Sequence, residues 1–138
     1  MRTTILVLAN KTAQSDELFK ALEARAAKAT IRLDFVAPPD GHGAQAREDA
    51  QRRLDEALQR AKDAGWEATG RIGVSDALSA VVDAYDPRRH DEIIVSTLPA
   101  SVSKWIGIDL PARVARATNA LVSHVQISER RPVGSRTS

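Results

Sequence analysis

The side chains with chemistry to offer gather in two places along this sequence. Asn10-Lys11-Thr12-Ala13-Gln14 follows the first apolar run, and Ser96-Thr97-Leu98-Pro99 opens a long stretch that runs through Ser103-Lys104-Trp105. The first supplies an amide, a cation and a hydroxyl, and the second hydroxyls, a cation and an aromatic surface. Neither has the form of a phosphate-binding loop. A dinucleotide turn needs glycines so that backbone amides can approach a pyrophosphate, and a P-loop ends in Gly-Lys-Ser/Thr; the chain has neither. A phosphoacceptor domain needs acidic residues after its first strand, where Asn10 is neutral. His42, His90 and His124 fall in separate connections, without the close spacing of metal ligands, and each reads as a solvated loop histidine. Arg88-Arg89-His90-Asp91 reads as a solvated turn. With no cysteine in the chain, thiol chemistry and disulfides are excluded. No catalytic residue, metal site or cofactor is predicted.

The elements that would position these groups follow from periodicity. Residues 4–9 form a short, β-branched apolar run, as do residues 92–97, and such runs read as strands covered on both faces. Residues 31–36 alternate before Pro38-Pro39, residues 66–72 make a weaker strand, and residues 121–127 a last one. Ser15, followed by Asp16 and Glu17, caps a first helix. A long helix carries Ala50, Leu54, Ala57, Leu58 and Ala61 on one face, with Gly65 at its C-terminal end. A third helix starts at Ser75 or Asp76, with a stripe of Leu78, Val81, Val82 and Tyr85. A fourth is capped by Asp109, with Pro111 in its first turn.

Strands and helices alternate throughout, so crossovers are helical and neighbouring strands parallel. The expected architecture is a three-layer α/β/α sandwich whose five-stranded parallel sheet has order 3-2-1-4-5, the two most apolar strands lying side by side. Ligands bind beyond the C-terminal ends of such strands, where the winding reverses. That directs attention to residues 9–12 and 96–104.

At 138 residues the chain suits one domain, assigned to residues 1–128. Residues 129–138 read as a disordered tail, and their three arginines against one glutamate carry the whole net charge of +2. The body is therefore neutral, without the basic face that nucleic-acid binding needs. No apolar run approaches the roughly 18 residues of a membrane span, and the first strand starts close to Met1. No nucleic-acid or membrane partner is expected, and a cytoplasmic location is.

The β-α alternation, the length, and the strand Glu92–Thr97 with its long following loop resemble the universal stress protein family over roughly residues 3–127. The resemblance implies a nucleotide site marked by glycine, two residues, glycine, nine residues, then glycine and serine or threonine. Those positions fall here on Ser96, Pro99, Asp109 and Leu110, which all depart from it. Asn10 stands where such members have an acidic residue that holds ribose or metal, and Val36 takes the apolar position near adenine. The expected function is a non-catalytic stress-response domain that does not bind ATP. A second reading is a binder of a small anion or nucleotide through Asn10, Lys11, Ser96, Thr97, Lys104 and Arg113. A third, an enzyme of the nucleotide α-hydrolase type, lacks both phosphate glycines and a paired acid and base. The last strand is a sheet edge without charged residues, and Leu121, Val125 and Ile127 predict a homodimer through it, as the resemblance also implies. A protein partner is the other expected route of action.

Overall fold

The computed structural model describes residues 2–99 and 103–128. Strands β1 (Arg2–Leu8), β2 (Thr30–Ala37), β3 (Glu67–Ile72), β4 (Glu92–Thr97) and β5 (Val122–Gln126) alternate with helices α1 (Asp16–Ala26), α2 (Ala44–Asp63), α3 (Ala77–Ala84), α4 (Lys104–Gly107) and α5 (Leu110–Thr118). The sheet has order β3-β2-β1-β4-β5, and its strand pairs are parallel. In the centre Leu8 lies opposite Val36 on one side and Val95 on the other.

Successive residues of a strand face opposite layers, and the core divides accordingly. Ile5, Val7, Leu33, Phe35 and Ile94 pack with Leu18, Phe19 and Leu22 of α1 and Leu54, Ala57 and Ala61 of α2. Leu6, Leu8, Val36, Ile93 and Val95 pack with Ala77, Ala80 and Val81 of α3 and Leu110 and Val114 of α5. This is the expected three-layer arrangement. Ser15 caps α1 by accepting the Leu18 N–H at 3.2 Å. Gly65, at φ +84°, follows α2 in the left-handed conformation that glycine adopts without a Cβ penalty.

The structure departs from the sequence reading in several places. Trp66 precedes β3, stacking on Phe19 with ring centroids 6.0 Å apart. Helix α3 turns Ala77, Ala80, Val81 and Ala84 inward and leaves Val82 43% exposed. Val81 is buried and Leu78 and Tyr85 pack against the core as the stripe predicts, so Val82 alone departs, while the alanines let the helix approach the sheet closely. Asp109 sits at φ 54° and makes no side-chain cap; α5 starts instead from a left-handed residue followed by Leu110 and Pro111. The stretch read as loop around Lys104 and Trp105 contains the single turn α4. The predicted last strand is shorter at both ends, and Leu121, outside it, is 68% exposed.

The histidines also need correction. His90 is buried, and its Nε2 lies 2.7 Å from Asp34 Oδ2. The turn around it is likewise engaged: Arg89 pairs with Asp34 at 3.3 Å, and Asp91 accepts the Thr4 N–H at 2.8 Å. His124 lies on β5 and bonds Thr97. His90 departs from the solvated reading because Asp34 is distant in sequence, whereas His124 is exposed as expected and departs only in standing on a strand.

Candidate functional site

The C-terminal ends of β1 and β4 open into a cleft of about 190 Å³. Its floor comes from these adjoining strands. Thr12 Oγ1 and Ser96 Oγ, both buried, are 2.6 Å apart and join the β1 turn to β4. Beside them the buried Thr97 hydroxyl lies 2.7 Å from His124 Nε2, tying β4 to β5. Partial desolvation pushes the His124 imidazole below its ordinary range, against the upward pull of the Asp109 carboxylate, and the net shift favours the neutral ring at pH 7.

The β2 end supplies the side wall through Pro38, Pro39, Asp40 and Gly41, while Ser75, Ser103 and Trp105 complete the rim. Trp105 also packs against the α3–α5 side of the core, so one side chain serves both as an anchor and as an apolar wall. Lys11 Nζ and Asp40 Oδ2 form an ion pair of 2.8 Å between two of the lining loops. Both side chains are substantially exposed, so the pair contributes little stability, but it sets the charge at the entrance.

Helix α2 fixes the β1–α1 turn from outside. Arg53 donates to Asn10 Oδ1 at 3.0 Å. Arg60 donates to the Gln14 carbonyl at 2.9 Å, pairs with Asp16 at 2.9 Å and lies over the Phe19 ring. The apolar stripe of α2 therefore packs on the sheet while two arginines hold the turn.

Of the residues singled out from sequence, Asn10, Lys11, Ser96 and Thr97 line this cleft. Val36 does not: it points into the α3 side of the core at 1% exposure, and Pro38 and Pro39 take the place near the cleft expected of it. Arg113 is exposed on α5 and is not a lining residue, because α5 turns Leu110 and Val114 to the core. Lys104 opens α4, and its side chain lies outside the described structure. Asp40, Ser75 and the Arg53–Asn10 bond join the site without a sequence motif of their own. Pro38-Pro39-Asp40 is legible as the end of β2, but the 43 positions between Asn10 and Arg53 hide their contact.

Among the described residues no group of His, Asp and Glu is arranged to hold a metal ion, and no helix is long and apolar enough to cross a membrane. The buried His90 is no general base. Its Nδ1 accepts the Asp86 N–H at 2.9 Å, so Nε2 carries the ring proton and donates to Asp34, leaving neither nitrogen for a substrate.

Neither a protein-family model nor a curated protein matches the chain. Solved structures do. A universal stress protein from Archaeoglobus fulgidus superposes with a TM-score of 0.60 at 19% identity, over 89% of this chain and 93% of that one. A universal stress protein in complex with cAMP gives 0.60 at 26% identity, over 91% and 98%. A protein of the universal stress protein family from Burkholderia pseudomallei gives 0.59 at 22% identity, over 89% and 95%.

Proposed function

We propose that this chain, which has the fold of the universal stress proteins, is a non-catalytic stress-response domain that does not hold magnesium-ATP. The observation that carries this reading is the cleft entrance. Asp40 places a carboxylate there, bonded to Lys11, where a triphosphate would need uncompensated positive charge. The volume of about 190 Å³ is also below the range of roughly 300–1,000 Å³ usual for ligand pockets. Pro99 further removes a backbone donor at one of the four positions where the family's nucleotide signature falls on this chain. The domain acts in the cytoplasm as a homodimer paired through β5. Isothermal titration at physiological salt should detect no magnesium-ATP binding tighter than about 1 mM, equivalent to roughly −4 kcal/mol. Micromolar affinity would overturn the proposal.

A second reading, a binder of a smaller ligand, is favoured by the polar floor of the cleft beside Trp105. The neighbour solved with cAMP makes cAMP the charged compound to titrate beside neutral ones.

A further inference from the structure

The amide of Asn10 is held in one orientation. Asn10 is 5% exposed and lines the cleft at the end of β1. Arg53 reaches it from α2 at 3.0 Å. A guanidinium has donors only, so the atom facing it must be the amide oxygen; the opposite assignment would set N–H against N–H. With Oδ1 engaged by Arg53, the amide turns its Nδ2 donor the other way, and no side-chain bond from Nδ2 to another described residue accompanies it. A carboxylate in this place would present an acceptor to the cleft, whereas Asn10 presents a donor.

We propose that Asn10, positioned by Arg53, makes the cleft selective for a small, flat, uncharged ligand with a hydrogen-bond acceptor such as a ring carbonyl. The inference rests on the second reading, that the cleft is a ligand site. Its surroundings fit that chemistry. Trp105 offers an aromatic wall, the Thr12–Ser96 pair supplies hydroxyls, and the Lys11 charge at the entrance is already paired with Asp40 rather than open to an anion. Acceptor recognition by a positioned donor discriminates, because a bound ligand without an acceptor takes water from the donor and leaves it unpaired. Asn10 is thus the specificity-determining group and Arg53 a positioning residue.

The probe is 1,3-dimethyluracil, a neutral ring with two carbonyl acceptors and no donor, titrated into the ¹⁵N-labelled full chain. The Asn10 side-chain amide signals should move saturably. Asn10→Asp, which replaces the donor by an acceptor, should weaken binding at least tenfold. Arg53→Met should weaken it about threefold in the native background, Arg53→Lys should restore it, and Arg53→Met should change nothing in an Asn10→Ala background. The last comparison separates positioning from a general loss of stability, which would persist without Asn10. If the Asn10 signals do not move, the cleft is not such a site, and the ligand reading falls with the inference. If they move but Asn10→Asp binds equally well, the inference alone is overturned and the ligand site stands.

Discussion

Asp34 and His90, 56 positions apart in sequence, meet at 2.7 Å and join the middle of β2 to the turn before β4. Thr69 of β3 donates to the other carboxylate oxygen at 2.6 Å, and Arg89 approaches it at 3.3 Å. Tyr85 stacks on the imidazole at 6.0 Å. The carboxylate is therefore buried with its acceptors satisfied. Asp34→Ala should destabilise the fold by about 3 kcal/mol, because it leaves the Thr69 hydroxyl and the His90 Nε2 group without a partner. Urea denaturation measures this, and a loss below about 1 kcal/mol would mean that water substitutes for the carboxylate.

Acid should act through the same groups. Burial pushes the Asp34 carboxyl upward, but hydrogen bonds from Thr69 and His90 and the Arg89 charge outweigh it and leave it below the ordinary range. Glu92 behaves alike: burial opposes, and Arg25 and Ser123 win. A depressed carboxyl adds stability that is complete above its unfolded value, about 4, and is lost as pH falls through its folded value. His124, also depressed, adds a smaller loss that starts as pH falls below about 6.5, where the unfolded ring takes a proton first. Denaturant midpoints should thus fall gently below pH 6.5 and steeply below pH 4, and Asp34→Asn should flatten the steeper limb. A flat profile down to pH 3 would contradict the assignment.

The Arg25–Glu92 pair at the other end of the sheet gives a third test. Arg25 bonds both carboxylate oxygens of the buried Glu92, at 3.1 and 2.7 Å, and Ser123 adds a 2.6 Å bond. Arg25→Met strands a buried charge and should destabilise by about 3 kcal/mol; a further Glu92→Gln change should recover part of that. Chemical denaturation of the single and double variants decides it, since simple loss of packing would not be recovered.

Close approach at Gly73 is testable without any charge. A Cβ there would lie 2.7 Å from Ala80 Cβ and 3.2 Å from a Val36 methyl. Gly73→Ala must push α3 off the sheet and should destabilise by about 2 kcal/mol by thermal denaturation. Adding Ala80→Gly should relieve most of the clash, and failure to do so would place the strain elsewhere.

Pairing through β5 can be probed without disturbing the core. Val125, the natural target from sequence, packs against the α1–α2 side of the core, so charging it would confuse dissociation with unfolding. The Ile127 N–H bonds Thr97, so by the alternation of a parallel ladder Gln126 turns its N–H to the free edge. Gln126→Pro should give monomers in sedimentation velocity at unchanged thermal stability, because an edge strand tolerates proline. A persistent dimer would place the interface elsewhere.

Strand order and the location of the cleft were legible because they depend on hydrophobic runs and on the reversal of winding between β1 and β4. The strand Glu92–Thr97 has the bounds read from its apolar run. What escaped sequence reading depends on pairing between distant residues. His90 looks solvated until Asp34 is placed beside it, and Arg53 looks like one more charge on the outer face of α2 until it reaches Asn10. On α3 the stripe holds for Leu78, Val81 and Tyr85, but the pattern of large residues does not reveal that Val82 turns outward while the alanines pack closest. The predicted tail and residues 100–102 of the loop after β4 lie outside the described residues.

The bonds between the two halves of the chain also settle register. Hydrophobic alternation has a period of two, so sliding β4 by two residues along β1 would keep every apolar side chain on its own face. The polar bonds would not survive it. Thr12–Ser96, Thr4–Asp91, Arg25–Glu92 and Asp34–His90 join parts of the chain before and after α3, at both ends of the sheet as well as its middle. A slipped sheet would bury the same oily surface yet leave a carboxylate, an imidazole and hydroxyls unpaired. These few buried polar residues therefore act as the alignment marks of the sheet, distinguishing one pairing of β1 with β4 from its hydrophobically equivalent neighbours.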